Sequence, residues 1–121
     1  MHTTTAAYLQ SWTTRMWIDG IQIGRLIDLE SIVVETVNTV YEITVISARD
    51  GDVLVRGGRR FPENTPARIL GASRGGAILK LSGIYVGFEI ELLINGRRIV
   101  SSPVRSIRLE MRQVLSRSAA F

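Results

Sequence analysis

Fourteen of the 121 residues are arginine, and Lys80 is the only lysine. Arg56, Arg59, Arg60, Arg68 and Arg74 fall within one stretch, residues 53–87, that is punctuated by glycine and proline, and Arg97-Arg98 follows close behind. A guanidinium grips phosphate or carboxylate through two parallel donors, which an ammonium cannot do. Gathered on one face, these seven arginines would supply the phosphate contacts of a single-strand nucleic-acid groove, with Phe61 and Tyr85 as the stacking aromatics. Against that stand an aromatic content of only 7% and a basic run with no aromatics interleaved along it. Phe61 serves equally well to pin this stretch to a core.

The other chemistry on offer is thin. Gly71-Ala72-Ser73-Arg74-Gly75-Gly76 could form an anion nest from converging N–H groups, a hydroxyl and a charge. It lacks the Lys-Ser/Thr ending of a P-loop and the spacing of a dinucleotide fingerprint, and a turn into the strand at Ala77 explains it as well. Glu89 and Glu91 stand roughly 7 Å apart on one face of a strand, near the separation of a glycosidase acid pair. A solvated face with Lys or Arg opposite is the plainer expectation. Asp50 and Asp52 flank Gly51 in a turn, which accounts for both. His2 is the only histidine and cysteine is absent. Those two facts remove Cys-ligated zinc and thiolate nucleophiles, and argue against Ser-His-Asp catalysis and His-rich metal sites. No catalytic residue, metal ligand or cofactor is therefore expected.

These groups must be positioned by a chain of one-domain size. Its composition is 45% hydrophobic and 21% charged, which argues for a packed core and against intrinsic disorder. The opening MHTTTAAYLQSW has neither a basic n-region nor an apolar h-region, so no secretory signal is expected there. No apolar run approaches the length of a membrane span. Net charge is +4, distributed unevenly: residues 1–48 carry −3 and residues 49–121 carry +7. That asymmetry favours an acidic partner such as nucleic acid, although +4 is also an ordinary solubility charge.

Short runs of β-formers separated by turn signals dominate the chain. Asp19-Gly20, between Trp17-Ile18 and Ile21-Gln22-Ile23, predicts a type I′ hairpin. Asn38-Thr39, Asp50-Gly51 and Asn95-Gly96 predict three further turns. Tyr41, Ile43 and Val45 alternate onto one face, as do Phe88, Ile90, Leu92 and Ile94. Trp17, Tyr41 and Phe88 are expected in the core. Pro62 and Pro66 argue against a central strand and predict a long Gly/Arg loop over residues 57–76, with a short strand or helical turn at Ala67-Arg68-Ile69-Leu70 as the alternative.

Together these readings predict an all-β fold: a small antiparallel barrel, SH3-like or similar, of about seven short strands with one long loop. Residues 1–12 are expected to be a flexible segment, 13–112 a single barrel-like domain, and 113–121 a tail.

The pattern GG…LKLxGIYVG…SPVRSI, spread over residues 40–109, resembles a group of small uncharacterised bacterial β-rich proteins. The resemblance implies a bacterial, cytoplasmic β domain and carries no activity, cofactor or site residue.

The expected function is therefore binding rather than catalysis. Binding is expected through the Arg-rich loop 56–76 and the adjacent Arg97-Arg98 hairpin. The first expectation is a protein-interaction or assembly module, with sheet edges or that loop as the contact and an unidentified protein or further copies of itself as partner. The alternative is single-stranded nucleic acid held by Arg56, Arg59, Arg60, Phe61, Arg68, Arg74, Arg97 and Arg98. No membrane partner is expected.

Overall fold

A computed structural model describes the backbone of residues 11–114 and the side chains of residues 16–110. Eleven strands follow one another: β1 (Ser11–Ile18), β2 (Gly20–Gln22), β3 (Ser31–Thr36), β4 (Val40–Ser47), β5 (Asp52–Gly57), β6 (Phe61–Arg74), β7 (Ala77–Leu81), β8 (Gly83–Tyr85), β9 (Glu89–Ile94), β10 (Arg97–Val100) and β11 (Val104–Val114). A 3-10 turn at Ile23–Arg25 is the only helical element among the described residues. The fold is all-β, and every strand pairing is antiparallel. The larger sheet runs β1-β11-β3-β4-β5-β6-β9-β10 with β7 also on β6, while β2 and β8 form a separate pair.

Burial with period two explains why these segments are strands. Ile32 and Val34 on β3, Ile43 and Val45 on β4, Val53 and Val55 on β5, and Ile90, Leu92 and Ile94 on β9 all point into one core. Ile107 and Leu109 on β11 join them, with Ile84 on β8. Each such aliphatic side chain contributes roughly 1.5–3 kcal/mol on leaving water. For strands from both ends of the sheet to share a core, the sheet must curl. Val104 marks where its ends approach: its N–H donates to the Phe88 carbonyl and its own carbonyl accepts from Gly87 N, both at 2.8 Å. No strand ladder closes that seam among the described residues, so the sheet curls without forming a closed barrel.

Three turn expectations hold. Asn38-Thr39 joins β3 to β4 and Asp50-Gly51 joins β4 to β5. Asn95-Gly96 joins β9 to β10, with both residues at positive φ (51° and 74°). Tyr41, Ile43 and Val45 share a face as expected, with Tyr41 half-buried against Phe61 at 6.2 Å between ring centroids.

Four expectations need correction. The described residues form eleven strands rather than about seven. The long loop at 57–76 is in fact β6, a strand of 14 residues that continues through a two-glycine turn into β7. Pro62 and Pro66 lie where β6 pairs with β5 alone, an edge position that tolerates proline. Beyond Arg68, where β9 joins as well, β6 contains no proline.

The Asp19-Gly20 hairpin does not form. Gly20 does not adopt positive φ, and β2 pairs with β8, placing Gly20 opposite Tyr85. The ring lies where a Gly20 side chain would stand, so this glycine provides room for an aromatic rather than a reversal of the chain. Trp17 is not in the core. It pairs with Arg108 while its neighbours pair with the buried Leu109 and Ile107, which puts Trp17 on the outer face at 67% exposure. Phe88 is half-buried.

The flexible segment expected at 1–12 reaches into β1, which begins at Ser11, and residues 1–10 lie outside the described residues. The tail expected at 113–121 overlaps the end of β11 at Val114, and 115–121 lie outside the described residues.

Candidate functional site

Five of the eight residues proposed from the sequence, Arg56, Phe61, Arg68, Arg74 and Arg98, are engaged within the fold. Arg56 and Glu42 are direct cross-strand neighbours, and Arg56 Nη2 donates to Glu42 Oε1 at 2.7 Å. Arg68 and Asp52 are likewise neighbours, with Nε donating to Oδ1 at 3.0 Å. Arg74 lies over the Phe88 ring, 4.8 Å from its centroid, and donates to the Gly87 carbonyl at 3.3 Å. Phe61 is buried and unable to stack on a base. Tyr85 is taken as well: Gln22 Nε2 donates to its hydroxyl at 3.0 Å and Lys80 sits over its ring.

Arg98 has a different role. It reaches from β10 to Glu91 on β9, donating from Nε to Oε1, and its Nη2 approaches the Gly76 carbonyl at 3.5 Å. Glu91 is fully buried, which corrects the expectation of a solvated glutamate face. The Arg98 hydrogen bond holds the Glu91 carboxyl below the ordinary glutamate range. Burial opposes that shift, and the neighbouring Ser73 hydroxyl and the Arg98 charge assist it. No hydrogen bond of full geometry joins Ser73 to Glu91: Ser73 Oγ and Glu91 Oε2 are both buried without a partner. A carboxylate held ionised by an arginine is unsuited to act as a general acid, so Glu91 cannot be the acid of a glycosidase-like pair with Glu89.

Arg59 and Arg60 are left over. They occupy the turn between β5 and β6, are exposed, and make no ion pair among the described residues. Both line a cleft of about 510 Å³. Its other walls are Asn38 and Thr39 in the β3–β4 turn, Tyr41 on β4, Gly58, Val100 at the end of β10, and Ser101 and Ser102 beyond it. Arg97 is exposed and, among the described residues, unpaired too, but lies outside this cleft.

A second feature lies at the sheet edge. β1 pairs with β11 over eight residues, from Ser11↔Val114 to Ile18↔Ile107. On its other side β11 meets β3 only as far as Glu110. The last four pairs, residues 11–14 with 111–114, therefore form a two-stranded ribbon beyond the body of the sheet. Where β1 returns to the body, Met16 (48%) and Trp17 (67%) are exposed. The sequence reading missed this edge by taking Trp17 as core. The available signal was the run SWTTRMWI itself, which is dense in β-formers.

No protein-family model, curated protein or solved structure matches this chain.

Proposed function

We propose that this is a non-catalytic β domain that works by assembly, its contact being strand addition to the free edge of β1 by β1 of a second copy. The observation that carries this is the β1–β11 ribbon, whose outer edge has no neighbouring strand among the described residues. A row of unpaired N–H and C=O groups is a template for another strand, and a two-stranded ribbon is marginal in water without further cover. The opposite edge differs. β10 is four residues long and begins with two arginines, which is how edges are kept from pairing. β1 is eight residues long and contains one charged residue, Arg15. Antiparallel pairing of β1 with its own copy would be isologous and closed, giving a two-fold dimer, and would cover Met16 and Trp17.

Sedimentation velocity over a concentration series tests this. A monomer–dimer equilibrium is expected, abolished by Met16→Lys with Trp17→Lys, two exposed changes that should leave the fold intact by circular dichroism. A chain that remains monomeric at high micromolar concentration overturns the proposal.

On the finer architecture, we read the curled sheet as a small SH3-like barrel left open at one seam, supported by the shared core and the Val104 hydrogen bonds. We place the protein in the bacterial cytoplasm, a reading supported by the family resemblance. Among the described residues, no helix is long and apolar enough to cross a membrane. The alternative, a single-strand nucleic-acid groove, would have to rest on Arg59, Arg60 and Arg97, since the other arginines proposed for it are engaged within the fold.

A further inference from the structure

We infer that the cleft between the β3–β4 turn, the β5–β6 turn and the segment after β10 is a binding site for a small phosphate-bearing ligand of about mononucleotide size. The inference goes beyond the assembly reading and rests on a different surface.

Charge is the first support. Arg56, Arg68, Arg98 and Arg108 each have a carboxylate partner. Arg59 and Arg60, adjacent in the chain, have none among the described residues, and no Asp or Glu lines the cleft they share. Two unneutralised guanidiniums at one concavity suit an anion with several oxygens, which each can grip at two points.

The neutral donors point the same way. Ser102 Oγ accepts from Asn38 N at 3.1 Å, which leaves its own proton to give. The Asn38 side-chain amide makes no hydrogen bond among the described residues. Ser101, by contrast, is already committed, accepting from Ile90 N and donating to the Ser102 carbonyl. The uncommitted groups are donors of the kind phosphate oxygens require.

Preorganisation is the second support. The turn carrying the arginines is held against the turn carrying Asn38 by two glycines at positive φ. A side chain at Gly57 would strike the Val40 carbonyl, and one at Gly58 would meet Thr39 Cγ2 at 2.8 Å. The facing turn is fixed by Thr36, whose hydroxyl donates to the Thr39 carbonyl at 2.9 Å and accepts from Thr39 N at 3.1 Å. Fixed donors lose less freedom on binding.

Size and lining set the ligand class. The volume, about 510 Å³, falls within the range of small-molecule sites and exceeds what a bare phosphate needs. Tyr41 and Val100 add an apolar wall, suited to a ring or carbon skeleton beside the phosphate. This favours a compact organic phosphate over an extended strand.

The test is titration of the intact ¹⁵N-labelled protein with inorganic phosphate, AMP and a single-stranded oligonucleotide, followed by amide shifts. AMP is expected to shift Asn38, Gly58 and Ser102 and to bind more tightly than inorganic phosphate. Arg59→Ala with Arg60→Ala should weaken AMP by at least about tenfold, Arg59→Lys with Arg60→Lys should weaken it less, and Arg97→Ala should leave it unchanged. All variants change exposed, unpaired side chains, and an unshifted melting temperature confirms their folding. Absence of shifts with AMP overturns the inference. So does AMP binding that Arg97→Ala weakens as much as the double variant, which would mark diffuse charge attraction. Tighter binding of the oligonucleotide, weakened alike by both variants, overturns it in favour of a nucleic-acid surface. Since the cleft contains no residue of β1, the same titration on the Met16→Lys, Trp17→Lys protein separates failure of this site from failure of the assembly reading.

Discussion

Arg98 and Arg59 are the same residue type on the same small domain, and they stand in opposite electrostatic situations. Arg98 lies on a strand and neutralises Glu91, which is wholly buried. Arg59 lies in a turn, beside another arginine, with no carboxylate in its cleft. The difference follows from geometry. A strand residue has a fixed cross-strand neighbour, so register can deliver an acid to a strand arginine, as it does for Glu42↔Arg56 and Asp52↔Arg68, whereas Arg97 on β10 faces Ile94 and receives none. Arg98 finds Glu91 diagonally, Arg98 being opposite Leu93 two residues further along β9. A turn residue has no such neighbour, and its charge remains free for something outside the chain. Arginines that form one basic stretch in the sequence thus divide into those that hold the sheet together and those that face outward.

The sharpest way to break this comparison is Arg98→Ala. It leaves Glu91 buried with neither oxygen bonded. Removing one partner of a buried pair is among the most destabilising surface-to-core changes, moderated here because Arg98 is itself half exposed and water can enter behind it. A fall in melting temperature on the order of 10 °C is expected for a domain of this size. If the melting temperature hardly moves, Glu91 is not a buried anion and the distinction between the two arginines fails.

Glu91→Gln sharpens the same point through pH. The folded-state carboxyl titrates below the ordinary value of 4.5 because Arg98 stabilises its ionised form against the cost of burial. A group whose folded pKa is depressed contributes stability above its unfolded pKa and loses it as pH falls through the folded value. The wild-type advantage over Glu91→Gln should therefore be full at neutral pH and should shrink as pH drops below about 4.5. Chemical denaturation of both proteins from pH 7 into the acid range reads it directly. An advantage that persists unchanged in acid would mean that packing, and not charge, separates them.

How much of this was legible beforehand depends on the range of the interaction concerned. The strand at Tyr41–Val45 and the Asn95-Gly96 turn were readable because alternation and positive φ are local properties. Asp19-Gly20 misled for the same reason: the dipeptide permits a reversal, but Tyr85, sixty-five residues away, takes the space beside Gly20. Pro62 and Pro66 suggested a loop because the sequence does not say that β6 has one neighbour at its start and two at its end. The site divided along similar lines. That arginine would matter was visible in composition, whereas which arginines were already satisfied depended on register across strands far apart in the chain. The cleft could not be seen at all, since its three walls come from turns about twenty and forty residues apart and meet only after the sheet has curled.

The smallest effects give the comparison its control. Arg56 and Arg68 occupy the intermediate case, strand arginines whose acid partners are themselves about 40% exposed. Exposed pairs contribute only about 0.2–1 kcal/mol and are screened by salt. Arg56→Ala should accordingly lower stability to urea within that range, and the loss should diminish in high salt. Arg59→Ala with Arg60→Ala breaks no pair and should lie within ~0.5 kcal/mol of wild type, with slight stabilisation at low salt if the two guanidiniums repel each other. The expected order of loss is therefore Arg98, then Arg56, then the turn pair. A double turn variant that destabilises as much as Arg56→Ala would mean that Arg59 and Arg60 serve the fold after all, and the cleft would lose the free charge on which its ligand depends.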